Sequence, residues 1–285
     1  MSASPKGPAL LQAHTGALKS RMGACFPGSH AIFRGHDLHT ELQDMGWIEL
    51  HLFSITGRRF PPARRRLLEA IWTCTSYPDV RIWNNRVAGL AGSSRSTGTL
   101  GLAAAMAVSE AAIYGRGIEI RATDFLIRTR QALDAGGTLE ACILAEMAVH
   151  RSIAGYGRPV TNGDERIPHI LALARELGLD QGPHLRLAFA IDDYLRASRW
   201  RKSINYGAVV TGLAADIGLS PREFYLFMFP TFLAGMTPCY LEASERPEGT
   251  LYAAPCSDIA YTGPAPRRWR PGRDGADEGQ DSRSG

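Results

Sequence analysis

The five cysteines of this chain, Cys25, Cys74, Cys142, Cys239 and Cys256, lie far apart, with no Cys-x-x-Cys and no paired spacing. An odd, scattered set argues against a disulfide framework and a zinc knuckle alike, and fits reduced cysteines that mostly fill the core of a cytoplasmic protein. No run of about 18 apolar residues occurs, so no membrane span is expected. The opening MSASPKGPALLQAHTGALKS lacks a sustained apolar stretch and reads as neither signal peptide nor anchor. Glycine-rich phosphate loops of the G-x-G-x-x-G or Walker type are missing, as are internal repeats. Period-2 alternation is nearly absent, apart from short strands expected near 47–54 and 258–262. An excess of charge of one sign is missing too. The net charge is +4, and the basic residues are spread out except at Arg64-Arg65-Arg66. That distribution gives little support for a nucleic-acid partner and suits a small anionic molecule at least as well.

What is present is helical periodicity. With 285 residues, 45% of them apolar, the chain can bury a substantial core as one large domain or two unequal lobes. Pro61-Pro62 precede ARRRLLEAIWTC, in which Leu67, Leu68, Ile71 and Trp72 share a face. TGTLGLAAAMAVSEAAIYG, rich in alanine and glycine, reads as a helix packed among other helices. Amphipathic segments ATDFLIRTRQAL, LEACILAEMAVH, IPHILALARELG and PHLRLAFAIDDYLRA follow, several ending at glycine. INYGAVVTGLAADIG and SPREFYLFMFPTFLAGMTPCYLEAS complete the set, the second opening on a Ser-Pro-x-Glu start signal. The expected fold is all-α. Residues 1–34 read as a flexible N-terminal arm. Residues 267–285, charged and glycine-rich, cannot bury enough surface to offset ordering entropy and read as a disordered tail.

Chemistry concentrates in GYGRPVTNGDER, residues 155–166. Gly155 and Gly157 permit positive φ and close backbone approach. Arg158 and Arg166 offer guanidinium forks that match a carboxylate or phosphate. A helix starting after Arg166 would add free N–H groups to an anion-binding corner. A surface turn with solvated arginines explains the same residues. Elsewhere, His150 reads as a helix C-terminal residue near the dipole, and His169 as a packing or solvent residue. Asp192-Asp193 reads as a solvated helix edge and not as a metal site. Arg64 to Arg66 read as a solvated helix start, with coenzyme A phosphates as the functional alternative.

Four stretches carry a resemblance in order and spacing across residues 45–265. GYGRPVTNGDERIPHILALARELG is similar to a Gly-Phe/Tyr-Gly-His…Asp-Pro-Arg loop followed by a helix. INYGAVVTGLAADIGLSP resembles an Asn-Val-Asp segment leading into a helix that ends Leu-Gly-Leu-Pro. DIAYTGP resembles a Tyr-x-Gly close, and NNRVAGLAGSSRSTGTLGLAAAMAVSEA a helical stretch before a catalytic histidine. The family is citrate synthase. The resemblance implies an all-α fold with a large helical domain (35–110 and 207–266) and a smaller one (111–206), usually a homodimer. It also implies condensation of an acyl-CoA with a 2-oxo acid, or the reverse cleavage. No tightly bound cofactor or metal is implied, with acyl-CoA as co-substrate.

The family's catalytic groups do not carry over. Its enolate-supporting histidine falls at Glu110, and residues 94–149 contain no histidine. Its ketone-polarising histidine falls on Arg158. The aspartate of Asn-Val-Asp falls on Gly207, although Asn205 is kept, and the His-Ala-Asp-His stretch is TCTS at 73–76. A family arginine falls near Phe232. Arg166 and Asp164 match the substrate-binding Asp-Pro-Arg. Two readings within the family follow, beside a third of a purely structural helical protein outside it. In the first, a rebuilt active site uses Glu110 as base or acid and Arg158 as a fixed cation, with Arg166, Asp164, Asn205 and Tyr206 binding substrate. In the second, the protein is a non-catalytic relative that binds an organic acid or acyl-CoA, or partners a true homologue.

Overall fold

The computed structural model describes residues 6–16, 19–110, 117–158, 163–252 and 255–265. Its helices are α1 (Pro8–Ala13), α2 (Trp47–Thr56), α3 (Pro62–Thr75), α4 (Trp83–Ser93), α5 (Gly98–Val108), α6 (Gly117–Asp134), α7 (Leu139–His150), α8 (Arg166–Glu176), α9 (Pro183–Ala197), α10 (Tyr206–Ile217), α11 (Pro221–Met228) and α12 (Leu233–Glu245). The all-α expectation holds, with one small antiparallel sheet of β1 (Gly23–Phe26), β2 (His30–Phe33) and β3 (His36–Asp37). Gly23 pairs with Phe33, and Ile32 with Asp37. This sheet occupies part of the expected flexible arm and is tied down. Phe33 meets the ring of Phe53 edge-on at 6.0 Å, and Arg34 donates to the Ser54 and Ile55 carbonyls in the last turn of α2. A cation there satisfies carbonyls that the helix leaves unpaired.

Neither expected strand forms. Residues 47–54 lie in α2, bracketed by Gly46 and by Gly57, whose φ of 69° closes the helix. Ile48, Leu52 and Ile55 recur at helical spacing and face the main core. The apparent alternation came from intervening polar residues in a short, β-branched segment. Residues 258–262 are not a strand either; a 3-10 turn, Cys256–Asp258, stands there.

Residues up to Leu251 form one compact unit, and the chain from Tyr252 onward forms a second. Within the first unit, α10 is the hub, with ten of its twelve residues buried. Its neighbours α3, α6, α8, α9 and α11 contribute Ile71, Phe125, Ile170, Ile191 and Phe227 to the same core. Glycine makes the closest approach workable: a Cβ on Gly212 would lie 3.0 Å from the Leu185 Cα of α9. Asp216 of α10 then caps α9, accepting the backbone N–H groups of His184 and Leu185 at 2.9 Å. A smaller core of Ala88, Ala105 and Met236 joins α4, α5 and α12. The first residues of the expected small domain, 111–116, and the expected tail, 267–285, lie outside the described residues.

Three further features refine the expectations. The alanine-rich α5 buries only Gly101 and Ala105, while Leu100 (65% exposed) and Val108 (40%) face outward. Its small residues serve one close contact, since a Cβ on Gly101 would sit 2.6 Å from the Ala91 Cβ of α4. The segment 221–245 has the length and apolar content of a membrane span, yet in the structure a turn divides it into two helices. Of these, α11 packs on α6 and α2, and α12 on α4 and α5. The cysteines are not mostly core filler: Cys239 is buried, Cys25 is exposed, and Cys74 and Cys142 lie between.

Candidate functional site

The loop entering from α7 is fixed to the start of α10 by a ladder of short bonds. Gly155 has φ of 91°, and a Cβ there would lie 2.7 Å from that of Ala208, so glycine is required on both counts. The Asn205 N–H donates to the Gly155 carbonyl (2.9 Å), and Gly157 donates to Ser203 (2.7 Å). Tyr156 and Ile204 form a bridge, and the buried Tyr156 hydroxyl donates to the Ala188 carbonyl of α9. Asn205 caps α10: its amide oxygen accepts the Gly207 N–H (2.8 Å), and its amide nitrogen donates to the Gly157 carbonyl (2.9 Å). Asp192 finishes the frame. It is buried, accepts the Ile204 N–H at 2.6 Å and pairs with Arg196 at 3.0 Å. The solvated-edge expectation is therefore corrected for Asp192. The paired backbone N–H explains why a carboxylate is tolerated inside.

On this frame sit two arginines and two carboxylates. Asp164, whose side chain is fully buried, receives two parallel bonds from Arg166, both 2.7 Å. It also accepts the backbone N–H groups of Tyr206 (2.9 Å) and Arg166 (3.3 Å). Burial alone would push the Asp164 carboxyl up. The bonds from Arg166 and Tyr206 outweigh it, and the net shift is downward. The Arg166 guanidinium lies 4.4 Å above the Tyr206 ring and 5.6 Å from that of Tyr77, a cation–π seat on a buried tyrosine. Desolvation pushes the Tyr206 hydroxyl well up, and it donates to the Ile71 carbonyl at 3.3 Å.

Arg158 makes a second two-pronged pair, with Glu165, and also donates to the Gly163 carbonyl. The Tyr77 hydroxyl donates to the same Glu165 carboxylate at 2.9 Å. The Arg158 bonds hold the Glu165 carboxyl down at about 2. Burial and the Glu165 bond raise the Tyr77 hydroxyl.

The structure thus brings together Arg158, Asp164, Arg166, Asn205 and Tyr206. Glu110 stands apart, exposed after the end of α5, where its carboxylate accepts from the Tyr225 hydroxyl of α11 at 2.8 Å. Among the described residues, no hydrogen bond or ion pair joins it to Arg158 or Arg166. Two members of the cluster, Tyr77 and Glu165, escape the sequence reading. Tyr77 directly follows the TCTS stretch, and Glu165 sits between two residues already singled out, so position alone could have flagged both. The anion-binding corner also differs from expectation: the chain's own carboxylates occupy both forks and the first N–H of α8. His150 lies 3.9 Å from Glu146 at the end of α7, and His169 is exposed. Arg65 pairs with Glu49, and Arg64 donates to the Ile217 carbonyl, so that helix start is only partly solvated. Arg65 and Arg66 border a separate open cleft of about 500 Å³ with Trp47 and Trp72.

No family model and no curated protein matches the chain. Solved structures do. The chain is similar to citryl-CoA lyase from Hydrogenobacter thermophilus (TM-score 0.75, 17% identity, 89% of this chain and 97% of that one). It is also similar to ATP citrate lyase from Methanosaeta concilii in complex with (3S)-citryl-CoA (0.71, 16%, 92% and 45%). A third likeness is to citrate synthase from Thermoplasma acidophilum in a ternary complex with carboxymethyl coenzyme A and oxaloacetate (0.61, 16%, 79% and 59%). The chain spans less than half of that ATP citrate lyase chain. Its fold is that of the citrate synthase and citryl-CoA lyase group. At these identities the likeness establishes the fold, and the chemistry must be argued from the site.

Proposed function

We propose that the protein binds a small carboxylic acid, a 2-oxo or hydroxy acid, together with an acyl-CoA, and forms or breaks a carbon–carbon bond between them at a rebuilt site. One observation carries this reading. Arg166 is held by a buried carboxylate and stacked on Tyr206 beside the Gly155–Gly157 loop. Such bracing pre-orients a guanidinium, which lowers the ordering cost of binding an acid. In the forward direction a carboxylate base removes a proton from the carbon next to the thioester. The resulting carbanion carbon attacks the ketone of the acid, and the new alkoxide takes a proton. Arg158 stabilises the developing oxyanion as a fixed cation without giving up a proton. Glu110 is assigned the proton transfer from its place in the sequence alone, since within the chain it stands apart from Arg158 and Arg166. Cleavage is the same sequence reversed. Coenzyme A enters as a co-substrate, and no tightly bound cofactor is part of the reading.

The molecule works as a cytoplasmic homodimer in this proposal. The outward face of α5, with Leu100, Ala103, Ala104, Ala107 and Val108 and no charged residue, supports self-association. A second reading, of an acid-binding protein without turnover, is favoured by the filled guanidinium forks and by the absence of the family's histidines.

Turnover separates the two. Acetyl-CoA is incubated with a panel of 2-oxo acids, and citryl-CoA alone, while free thiol and acid products are measured. The enzyme reading expects turnover that Glu110→Gln reduces at least about a hundredfold, the usual size of a general-base contribution. Turnover untouched by Glu110→Gln removes Glu110 from the mechanism, and binding without turnover supports the second reading.

A further inference from the structure

We infer that Glu165 is a resident carboxylate on Arg158, a built-in competitor that an incoming acid must displace, so that it sets the strength of acid binding. The inference rests on the acid-binding reading above and adds the regulation of that site.

Asp164 and Glu165 are adjacent and both lie on arginines, but they differ in what holds them. The Asp164 side chain is fully buried, and backbone N–H groups from two elements converge on it. Pulling it out would strand the backbone N–H groups of Arg166 and Tyr206 as well as the Arg166 guanidinium, so it is a permanent part of the frame. The Glu165 side chain is 59% exposed, and apart from its own backbone N–H its partners are two side chains, Arg158 and Tyr77. Swinging it into water strands no backbone N–H of another residue and leaves two side chains, Arg158 and Tyr77, that can turn to a new acceptor. Arg158, only 22% exposed, then presents a complete fork beside Arg166.

The charges sharpen the point. Arg158 and Arg166 are balanced by Asp164 and Glu165, so an acid meets no net attraction from these four groups while Glu165 is seated. Once Glu165 leaves, the remaining three carry one positive charge, and the acid exchanges one carboxylate for another in the same fork. The Tyr77 hydroxyl is released in the same step and becomes a donor to the newcomer. The exchange favours an acid that can meet Arg158 and Arg166 together, which means one with a carboxylate and a second oxygen acceptor close by.

The test compares the full-length protein with Glu165→Gln and Glu165→Ala, two substitutions at an exposed position. Calorimetry with oxaloacetate and with citrate is expected to show binding at least about tenfold tighter in both variants, in keeping with one charge-assisted pair removed from the competition. Phenylglyoxal labelling, mapped to Arg158 by peptide mass spectrometry, gives a readout that needs no acid. Arg158 is expected to react several-fold faster in Glu165→Ala, and saturating oxaloacetate is expected to restore protection. If acids bind the natural protein and both variants equally, or if Arg158 labels at one rate in all three, the inference is overturned while the acid-binding reading stands. If Arg158 labelling accelerates but no form binds either acid, Glu165 is confirmed as the resident carboxylate and the acid-binding reading falls.

Discussion

Two neighbouring carboxylates, Asp164 and Glu165, show how little local sequence says about a charge's job. One is interior framing and the other half-solvated, though both sit in the same Asp-Glu-Arg. Their acid titration follows from the Arg158 pair. The Glu165 carboxyl is held at about 2, below its ordinary 4.5. A depressed folded-state value means that its contribution is complete above the ordinary value and is lost as pH falls toward about 2. The Glu165 side-chain carbonyl resonance should therefore titrate near 2 in the natural protein and return to the ordinary carboxylate range in Arg158→Ala. An unshifted titration in the natural protein would remove the pair. Asp192 gives a stability prediction. Asp192→Ala leaves the Ile204 N–H without its acceptor and should cost about 1–3 kcal/mol in urea unfolding. Glycine, arginine and aspartate identities at 155–166 pointed to this corner from the sequence. What escaped was pairing: composition cannot say that Glu165 folds back on Arg158, or that Tyr77, nearly ninety residues earlier, reaches the same carboxylate.

At the scale of elements, the Gly155 loop and the start of α10 act as one unit. Gly155→Ala combines a positive φ with a collision at Ala208 and should destabilise the protein by about 2–4 kcal/mol. It should also weaken acid binding, because Asn205 and Tyr206 would shift with it. Thermal unfolding and calorimetry check the two effects separately, and an unchanged melting temperature would contradict the geometry. Most helices were legible because their apolar residues recur at helical spacing and their ends carry glycine, proline or a Ser-Pro-x-Glu cap, as at Ser220. α2 was not. Its ten residues are rich in β-branched and aromatic types, and only packing of Ile48, Leu52 and Ile55 on the core decides for helix. α5 was recognised as a helix packed on others, as it is on α4 and α12, but not as one that leaves an apolar face outward. Its alanines suit close packing, and sequence does not reveal whether the neighbour is this chain or another copy.

Across the whole molecule, four weak motifs in order pointed to a fold that solved structures bear out at under a fifth identity. Order and spacing survive because the core around α10 needs the same helices in the same places. Catalytic side chains are not part of that packing requirement, so they can be exchanged without loss of the fold. The proposed homodimer makes α5 the surface to perturb. Leu100→Glu should shift the natural assembly toward monomer in sedimentation velocity, with the helical spectrum unchanged. A natural protein that sediments as a monomer at tens of micromolar would contradict the dimer.

Acid binding through Arg166 is the proposal on which the others depend. It is tested most directly by titrating oxaloacetate and citrate into the natural protein and into Arg166→Ala by calorimetry. Measurable binding is expected in the first and a loss of at least about a hundredfold in the second, the scale expected for removing a charged hydrogen-bonding partner. Equal binding by both proteins, or none by either, would contradict it.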